Sequence, residues 1–173
     1  PPIKQDVKSL GPQLSAQSAL VVDTKSGAVL FEKNGFKVHP IASIVKMMTG
    51  LVFLESNPDL NARVEMEQED SREGGDDYIK PGESATLLSY LRASLLGSAN
   101  NATILLSRST EMSIDEFVQQ MNLRAKELGM FNTVFVEPSG LSPENVSTTH
   151  DIVRLLSEVG KNKLITDITG THQ

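Results

Sequence analysis

Residues 40–55 read P-I-A-S-I-V-K-M-M-T-G-L-V-F-L-E, and this stretch decides how the rest of the chain is to be read. Between Ile41 and Leu54 it carries one charge, Lys46, among Ile44, Val45, Met47, Met48, Leu51, Val52, Phe53 and Leu54. Apolar residues fall on every side of a helical wheel, so the spacing predicts a helix buried all round rather than an amphipathic surface helix. An ammonium inside such a helix must find a partner or give up its proton, and the neutral amine is a base. Ser43 lies three residues before Lys46 and shares its face. With Pro40 at the entry, Ser43 falls in the first turn, where free N–H groups and the positive end of the helix dipole favour an oxyanion. A hydroxyl nucleophile, an amine base and an oxyanion donor thus stand within four residues.

The chain is long enough, at 173 residues, for one domain with a full core, or one domain plus an appendage. Its net charge of -6 and lack of a basic block argue against a nucleic-acid partner. With no cysteine there is no disulfide, thiol nucleophile or thiolate metal site, and no H-E-x-x-H supports metal catalysis. No cofactor is expected. The apolar runs are too short to span a bilayer, and the opening Pro1-Pro2-Ile3-Lys4 does not read as a secretory signal.

Outward from the buried helix, residues 1–17 read as an N-terminal arm or weak helix and residues 18–173 as a domain. Ala19–Asp23 and Ala28–Glu32 predict a hairpin turned by Thr24-Lys25-Ser26-Gly27. Arg63–Met66 reads as a short strand, and Glu73-Gly74-Gly75-Asp76-Asp77 as a surface loop that could line a cleft. A helix is expected from about Thr86 to Leu96, halting at Gly97, and a second apolar helix through Ala102, Ile104, Leu105 and Leu106. Ser113-Ile114-Asp115-Glu116 is a capping box for a helix ending near Leu128 and Gly129. Thr133–Val136 reads as a strand and Glu137–Leu141 as a turn-rich loop. Thr148 or Thr149 caps a helix through Val153, Leu155, Leu156 and Val159, and a weak helix closes the chain.

Ser-x-x-Lys by itself is a poor signal, because eighteen serines and ten lysines give about one such spacing by chance. Ser98-Ala99-Asn100 is equally common. Context lifts both: the first heads a buried helix whose sole charge is the lysine, and the second breaks two apolar helices, where side chains can enter a cleft. The plainer readings are a capping Ser43, a Lys46 reaching for the surface and a polar turn at Ser98 and Asn100.

S-x-x-K followed by S-x-N in a cysteine-free chain that opens with a hairpin resembles the penicillin-binding proteins and serine β-lactamases. Four ordered blocks resemble the low-molecular-mass D-alanyl-D-alanine carboxypeptidase and endopeptidase family. They are I-A-S-I-V-K-M-M-T-G around Ser43, L-L-G-S-A-N-N-A around Ser98, Leu128–Ser142 and Asn145–Leu156. V-E-P-S-G-L-S and N-V-S-T are similar to the endopeptidase branch, the penicillin-binding protein 7 type. The resemblance covers about residue 18 to the end. The third family motif, K-T-G, is absent: Ile168-Thr169-Gly170 has no lysine before the threonine. A C-terminally truncated domain is therefore expected.

The resemblance implies an α+β penicillin-binding protein/β-lactamase-like transpeptidase fold, a helical cluster packed on an antiparallel sheet, with the last strands missing. It implies Ser43 as nucleophile, Lys46 as general base, Ser98 as proton relay, and Asn100 as the group positioning Lys46 and the substrate amide. The backbone N–H of Ser43 would be one oxyanion donor, and the other would belong to the K-T-G strand. Expected partners are peptidoglycan peptides, β-lactams as covalent inhibitors, and another copy or a complementing C-terminal fragment at the open sheet edge. An extracytoplasmic, periplasmic location follows from the same resemblance. The rival readings are a class A β-lactamase, for which no deacylating carboxylate loop stands out, and a non-catalytic peptidoglycan-binding relative. A triad built on His150-Asp151 or His39 lacks G-x-S-x-G and has less support.

Overall fold

The computed structural model describes residues 1–3, 11–72, 74 and 78–170. The hairpin forms as expected from β1 (Ala19–Val22) and β2 (Val29–Lys33), antiparallel, with Leu20 opposite Glu32 and a register shift between Val21 and Val22. Asp23 organises its turn, its carboxylate accepting from the Ser26 N–H at 2.9 Å. Of the expected arm, residues 4–10 lie outside the described residues, while Leu14 and Gln17 offer carbonyls to Lys33 and Asn34 at 2.8 Å each. That run is thereby tied along β2.

Helix α1 (Val45–Glu55) is the hub of the molecule. Val45, Met48, Leu51, Val52 and Phe53 are each no more than 4% exposed. The cause is visible in the packing, since α1 touches α2 (Leu87–Gly97), α3 (Asn100–Arg108), α4 (Ile114–Glu127) and α5 (Thr149–Val159). An apolar stripe on one side could not serve four neighbours, so the all-round hydrophobicity read from the sequence is what this position requires. A further helix, α6 (Lys163–Thr169), buries Ile165 and Ile168 in the same core.

Three expectations are corrected. Pro40 does not open the helix: with His39 it forms a two-residue strand, β3, paired with β6 (Val146–Ser147). Ser43 then lies in a 3₁₀ turn, Ala42–Ile44, ahead of α1. The α-helix cannot begin earlier because Ala42 is left-handed, φ 44°. Thr133–Val136 is not a strand; Val134 alone bridges Val146. Its neighbours find side-chain acceptors instead, the Phe135 N–H bonding Asn122 Oδ1 at 3.0 Å and the Val136 N–H bonding Asn145 Oδ1 at 2.8 Å. The helix expected from about Thr86 begins at Leu87, and the residues just before it form a strand, β5 (Ser84–Thr86), antiparallel to β4 (Arg63–Glu65). Three residues are too few to show alternation.

Charge secures the periphery. Arg108 forks onto the buried carboxylate of Asp70 at 2.8 and 2.7 Å and reaches Glu67 at 3.0 Å, binding the segment before β5 to α3. Arg124 bonds Glu55 at 2.9 Å, Glu127 at 3.0 Å and Glu158 at 2.8 Å, joining the C-terminal ends of α1, α4 and α5. Among the described residues no helix is long and apolar enough to cross a membrane.

The capping box at Ser113 is present: its hydroxyl accepts from the Glu116 N–H at 3.3 Å, and Glu116 accepts from the Ser113 N–H at 2.8 Å. Ser113→Ala is expected to cost about 1 kcal/mol, lowering the melting temperature by roughly 2–4 °C. Calorimetry checks this, and an unchanged transition would show that the cap contributes nothing.

Candidate active site

Each of the four side chains singled out from the sequence reaches one place, and local backbone choices bring them there. Ala42 and Ser98 are both left-handed without being glycine, with φ of 44° and 54°. Such residues cost about 1–2 kcal/mol apiece and persist where surrounding structure imposes them. The left-handed turn at Ser98 ends α2 and swings its hydroxyl to donate to Ser43 Oγ at 2.9 Å. Asn100, the first residue of α3, is 7% exposed and turns its amide inward.

Lys46 is the centre of the arrangement. It is 2% exposed, and its Nζ donates to Ser43 Oγ at 3.1 Å, Asn100 Oδ1 at 2.8 Å and the Ser139 carbonyl at 2.6 Å. Ser43 itself is exposed, so a buried base faces an accessible hydroxyl. Burial pushes the Lys46 amine down from 10.5 to about 8, against the opposing pull of the Glu137 carboxylate. These three partners dictate what the neutral amine can do. A neutral amine has two N–H bonds and one lone pair. The Ser139 carbonyl can only accept, and Asn100 presents its oxygen to Lys46 because its Nδ2 is spent on the Gly74 carbonyl. The two N–H bonds are thereby claimed, and the lone pair faces Ser43 Oγ. The Ser43 proton then runs to Lys46, while Ser43 Oγ accepts from Ser98.

The sequence reads Glu137–Leu141 as a turn-rich loop but gives it no part in the site. Glu137 Oε2 accepts from the Ser139 N–H at 2.7 Å and from its hydroxyl, and Oε1 accepts from the Gly140 N–H at 2.7 Å, the Ser142 N–H at 3.3 Å and Asn145 Nδ2. Burial raises the Glu137 pKa, but the hydroxyl of Ser139 and the N–H groups of Ser139, Ser142 and Gly140 together outweigh it and leave the carboxyl below its usual range. The Pro138 carbonyl accepts from Thr49 Oγ1 at 2.7 Å, one turn past Lys46. Gly140 (φ 89°) lies against the backbone of Ala42 and Ser43. A carboxylate one residue before Pro-Ser-Gly was the available signal, since only a fixed loop gathers N–H groups around an acid.

The expected surface loop at 73–77 lies outside the described residues except for Gly74, whose contact with Asn100 puts that residue beside the site. His39 and His150 form no triad with Asp151. His39 Nε2 meets Ser18 Oγ at 2.8 Å, and His150 stacks on Phe36 and pairs with Glu32 at 3.1 Å. Asp151 is engaged by Asn132, Thr133 and Arg154. A groove of about 360 Å³ opens over Ser43 and Ser98, walled by Ile44, Met47, Leu95, Ile152 and Leu156.

The sequence model of a family described as D-alanyl-D-alanine carboxypeptidase matches residues 5–173. The chain is 33% identical over 164 residues to a D-alanyl-D-alanine endopeptidase of Escherichia coli K12, covering 94% of this chain and 53% of that protein. It is 38% identical over 146 residues to a D-alanyl-D-alanine endopeptidase of Pseudomonas aeruginosa, covering 83% and 47%. The solved D-alanyl-D-alanine carboxypeptidase of Mycobacterium tuberculosis H37Rv superposes with a TM-score of 0.86 at 32% identity, over 98% of this chain and 65% of that one. The chain thus spans about half the length of the curated relatives it matches. The expected α+β fold of the penicillin-binding type is the observed one.

Proposed function

We propose that this chain, which belongs to the D-alanyl-D-alanine carboxypeptidase family, carries the acylation machinery of a serine DD-peptidase acting on D-Ala-containing peptidoglycan stem peptides or crosslinks. Ser43 is the nucleophile: its hydroxyl proton passes to neutral Lys46 as Oγ attacks the carbonyl carbon before the terminal D-alanine. The carbonyl carbon becomes tetrahedral, and the Ser43 N–H is a donor to the oxyanion. The C–N bond then breaks, and the proton held by Lys46 returns through the Ser98 hydroxyl to the departing nitrogen. An ester on Ser43 remains, to be released by water. Asn100 holds Lys46 and meets the substrate amide.

The observation that carries this reading is the pair of acceptors, Asn100 Oδ1 and the Ser139 carbonyl, around the buried Lys46 amine, which leaves the lone pair of the neutral amine for the Ser43 hydroxyl. A capping serine or a lysine reaching for water would need no such arrangement. β-Lactams are the expected covalent inhibitors, since opening their ring is the same attack with a leaving group that stays tethered. The substrate class carries with it a location outside the cytoplasmic membrane, periplasmic where an outer membrane exists. Residues 18–173 form the catalytic part in this proposal and 1–17 an arm. Lys-Thr-Gly does not occur within the 173 residues. A second copy or a further fragment that supplies the other oxyanion donor is accordingly part of the proposal, because losing one donor typically costs about 10²- to 10³-fold. The family matches reported above are peptidases, and the β-lactamase and non-catalytic readings gain nothing from them.

Incubation with a penicillin, followed by digestion and mass analysis, tests the assignment. The expected result is a penicilloyl adduct on the peptide containing Ser43; an adduct elsewhere, or none at saturating drug, overturns it.

A further inference from the structure

We propose that Glu137 is a positioning residue of this site, which gathers residues 137–145 around its carboxylate and so holds the Ser139 carbonyl and a compensating negative charge against Lys46. Five donors converge on that one carboxylate: the N–H groups of Ser139, Gly140 and Ser142, the Ser139 hydroxyl and the Asn145 amide. A segment without regular secondary structure acquires in this way the fixity of a turn of helix. The fixity matters because of what its backbone does. Ser139 takes one Lys46 N–H at 2.6 Å, and the Pro138 carbonyl takes the Thr49 hydroxyl at 2.7 Å. Gly140 abuts the backbone that carries Ser43.

Without a fixed carbonyl at that point, the neutral amine could turn its lone pair away from Ser43 Oγ. The remaining partners of Lys46 have no charge: Ser43 lies on its own segment, and Asn100 comes from α3. The α2 and α5 walls of the groove present Ser94, Leu95, Ser98, Ile152 and Leu156. Glu137 is thus the charged group that Lys46 senses among the described residues, and it acts against the desolvation of the ammonium. The carboxylate bonds Ser139, Gly140, Ser142 and Asn145, not Ser43 or Lys46; it works through Ser139 and through its field.

This inference deepens the peptidase reading and rests on it for its catalytic meaning, but its test does not require acylation. The Cε signal of Lys46, assigned by its loss in Lys46→Met, reports the amine's titration by NMR. In Glu137→Gln the Lys46 midpoint is expected to fall by about half a unit or more, and Glu137→Asp should restore most of it. An unmoved midpoint in Glu137→Gln overturns the proposal.

The wild-type protein supplies a second readout that needs no substitution. Between about pH 6 and pH 3 the amide protons of Ser139, Gly140 and Ser142 and the Lys46 Cε should share one midpoint below the ordinary carboxylate value. Separate midpoints, or a Lys46 Cε blind to that titration, overturn the proposal as well. Penicillin acylation by the same variants then shows the catalytic weight. The rate on its high-pH plateau should fall at least about tenfold in Glu137→Gln, and an unchanged plateau would refute a positioning role. Absence of acylation in the wild type itself would sink the peptidase reading while leaving the Lys46 titrations to decide the role of Glu137.

Discussion

Lys46→Met is expected to slow penicillin acylation by about 10²- to 10⁴-fold, the usual contribution of a positioned general base. Methionine keeps the volume and removes the proton acceptor, so Ser43 Oγ must surrender its proton to water. In the wild type, the acylation rate should rise with pH through a midpoint near the amine's value of about 8. The same substitution has a stability signature of known sign. The folded-state amine titrates near 8 against an ordinary 10.5, so below pH 8 the folded protein holds an ammonium that water would stabilise better. Between pH 8 and 10.5 the folded form has lost its proton while the unfolded form still binds one, and stability rises with pH. The depression corresponds to about 3 kcal/mol. Wild type should therefore gain up to roughly that amount on Lys46→Met between pH 7 and pH 11. At any single pH, Asn100 and Ser139 left without a donor add about 1–3 kcal/mol each in the opposite sense, so the change with pH is the quantity to measure. Urea unfolding at the two pH values checks it. A constant difference would mean that burial exerts no penalty on the ammonium.

Gly140→Ala should destabilise the fold by about 3 kcal/mol and slow acylation at least about tenfold. Gly140 has φ 89°, where an L side chain costs about 1–2 kcal/mol. Its added carbon would also fall 2.6 Å from the Ala42 carbonyl carbon and 3.0 Å from the Ser43 nitrogen, both backbone atoms that cannot step aside like a side chain. Overpacking of this kind typically adds about 1–3 kcal/mol, and the displaced backbone is the one that carries Ser43. Gly82→Ala is the comparison: its φ of 86° is nearly the same, but the new methyl meets nothing within 4 Å. Chemical unfolding and penicillin labelling of both variants separate the two contributions. Equal losses would mean that the approach of Gly140 to Ser43 constrains nothing.

The parts of the molecule that could be read in advance are those in which one residue's neighbours in sequence are also its neighbours in space. A single charge in an apolar helix announced both the burial of α1 and the environment of Lys46. The capping box at Ser113, the hairpin and the end of α4 at Gly129 are likewise local matters of turn and cap chemistry. Asn100 could be nominated from its spacing to Ser98, but its bond to Lys46 spans 54 residues, and only the family resemblance, not local spacing, pointed to it. The Glu137 loop was opaque for a related reason. Turn-rich composition says that a segment bends, not which carbonyl the bend delivers to Lys46, 93 residues away in sequence from Ser139. Thr133–Val136 misled because its β-branched residues fit an extended backbone, whereas the amides of Asn122 and Asn145 took the hydrogen bonds that a strand would have given to a partner.

The two ends of α1 answer to different forces. At its start, close backbone contact and hydrogen bonds from Ser98 and from Lys46, an amine only 2% exposed, fix Ser43, and dissolved electrolyte has little hold on a charge so buried. Some 18 Å along the axis, the guanidinium of Arg124 knots three helices through ion pairs that are partly open to water, the kind that counterions weaken. A saltier medium would relax the butt of the helix and spare the end that holds Ser43, so the protein can loosen where its helices are merely tied together without shifting the proposed nucleophile.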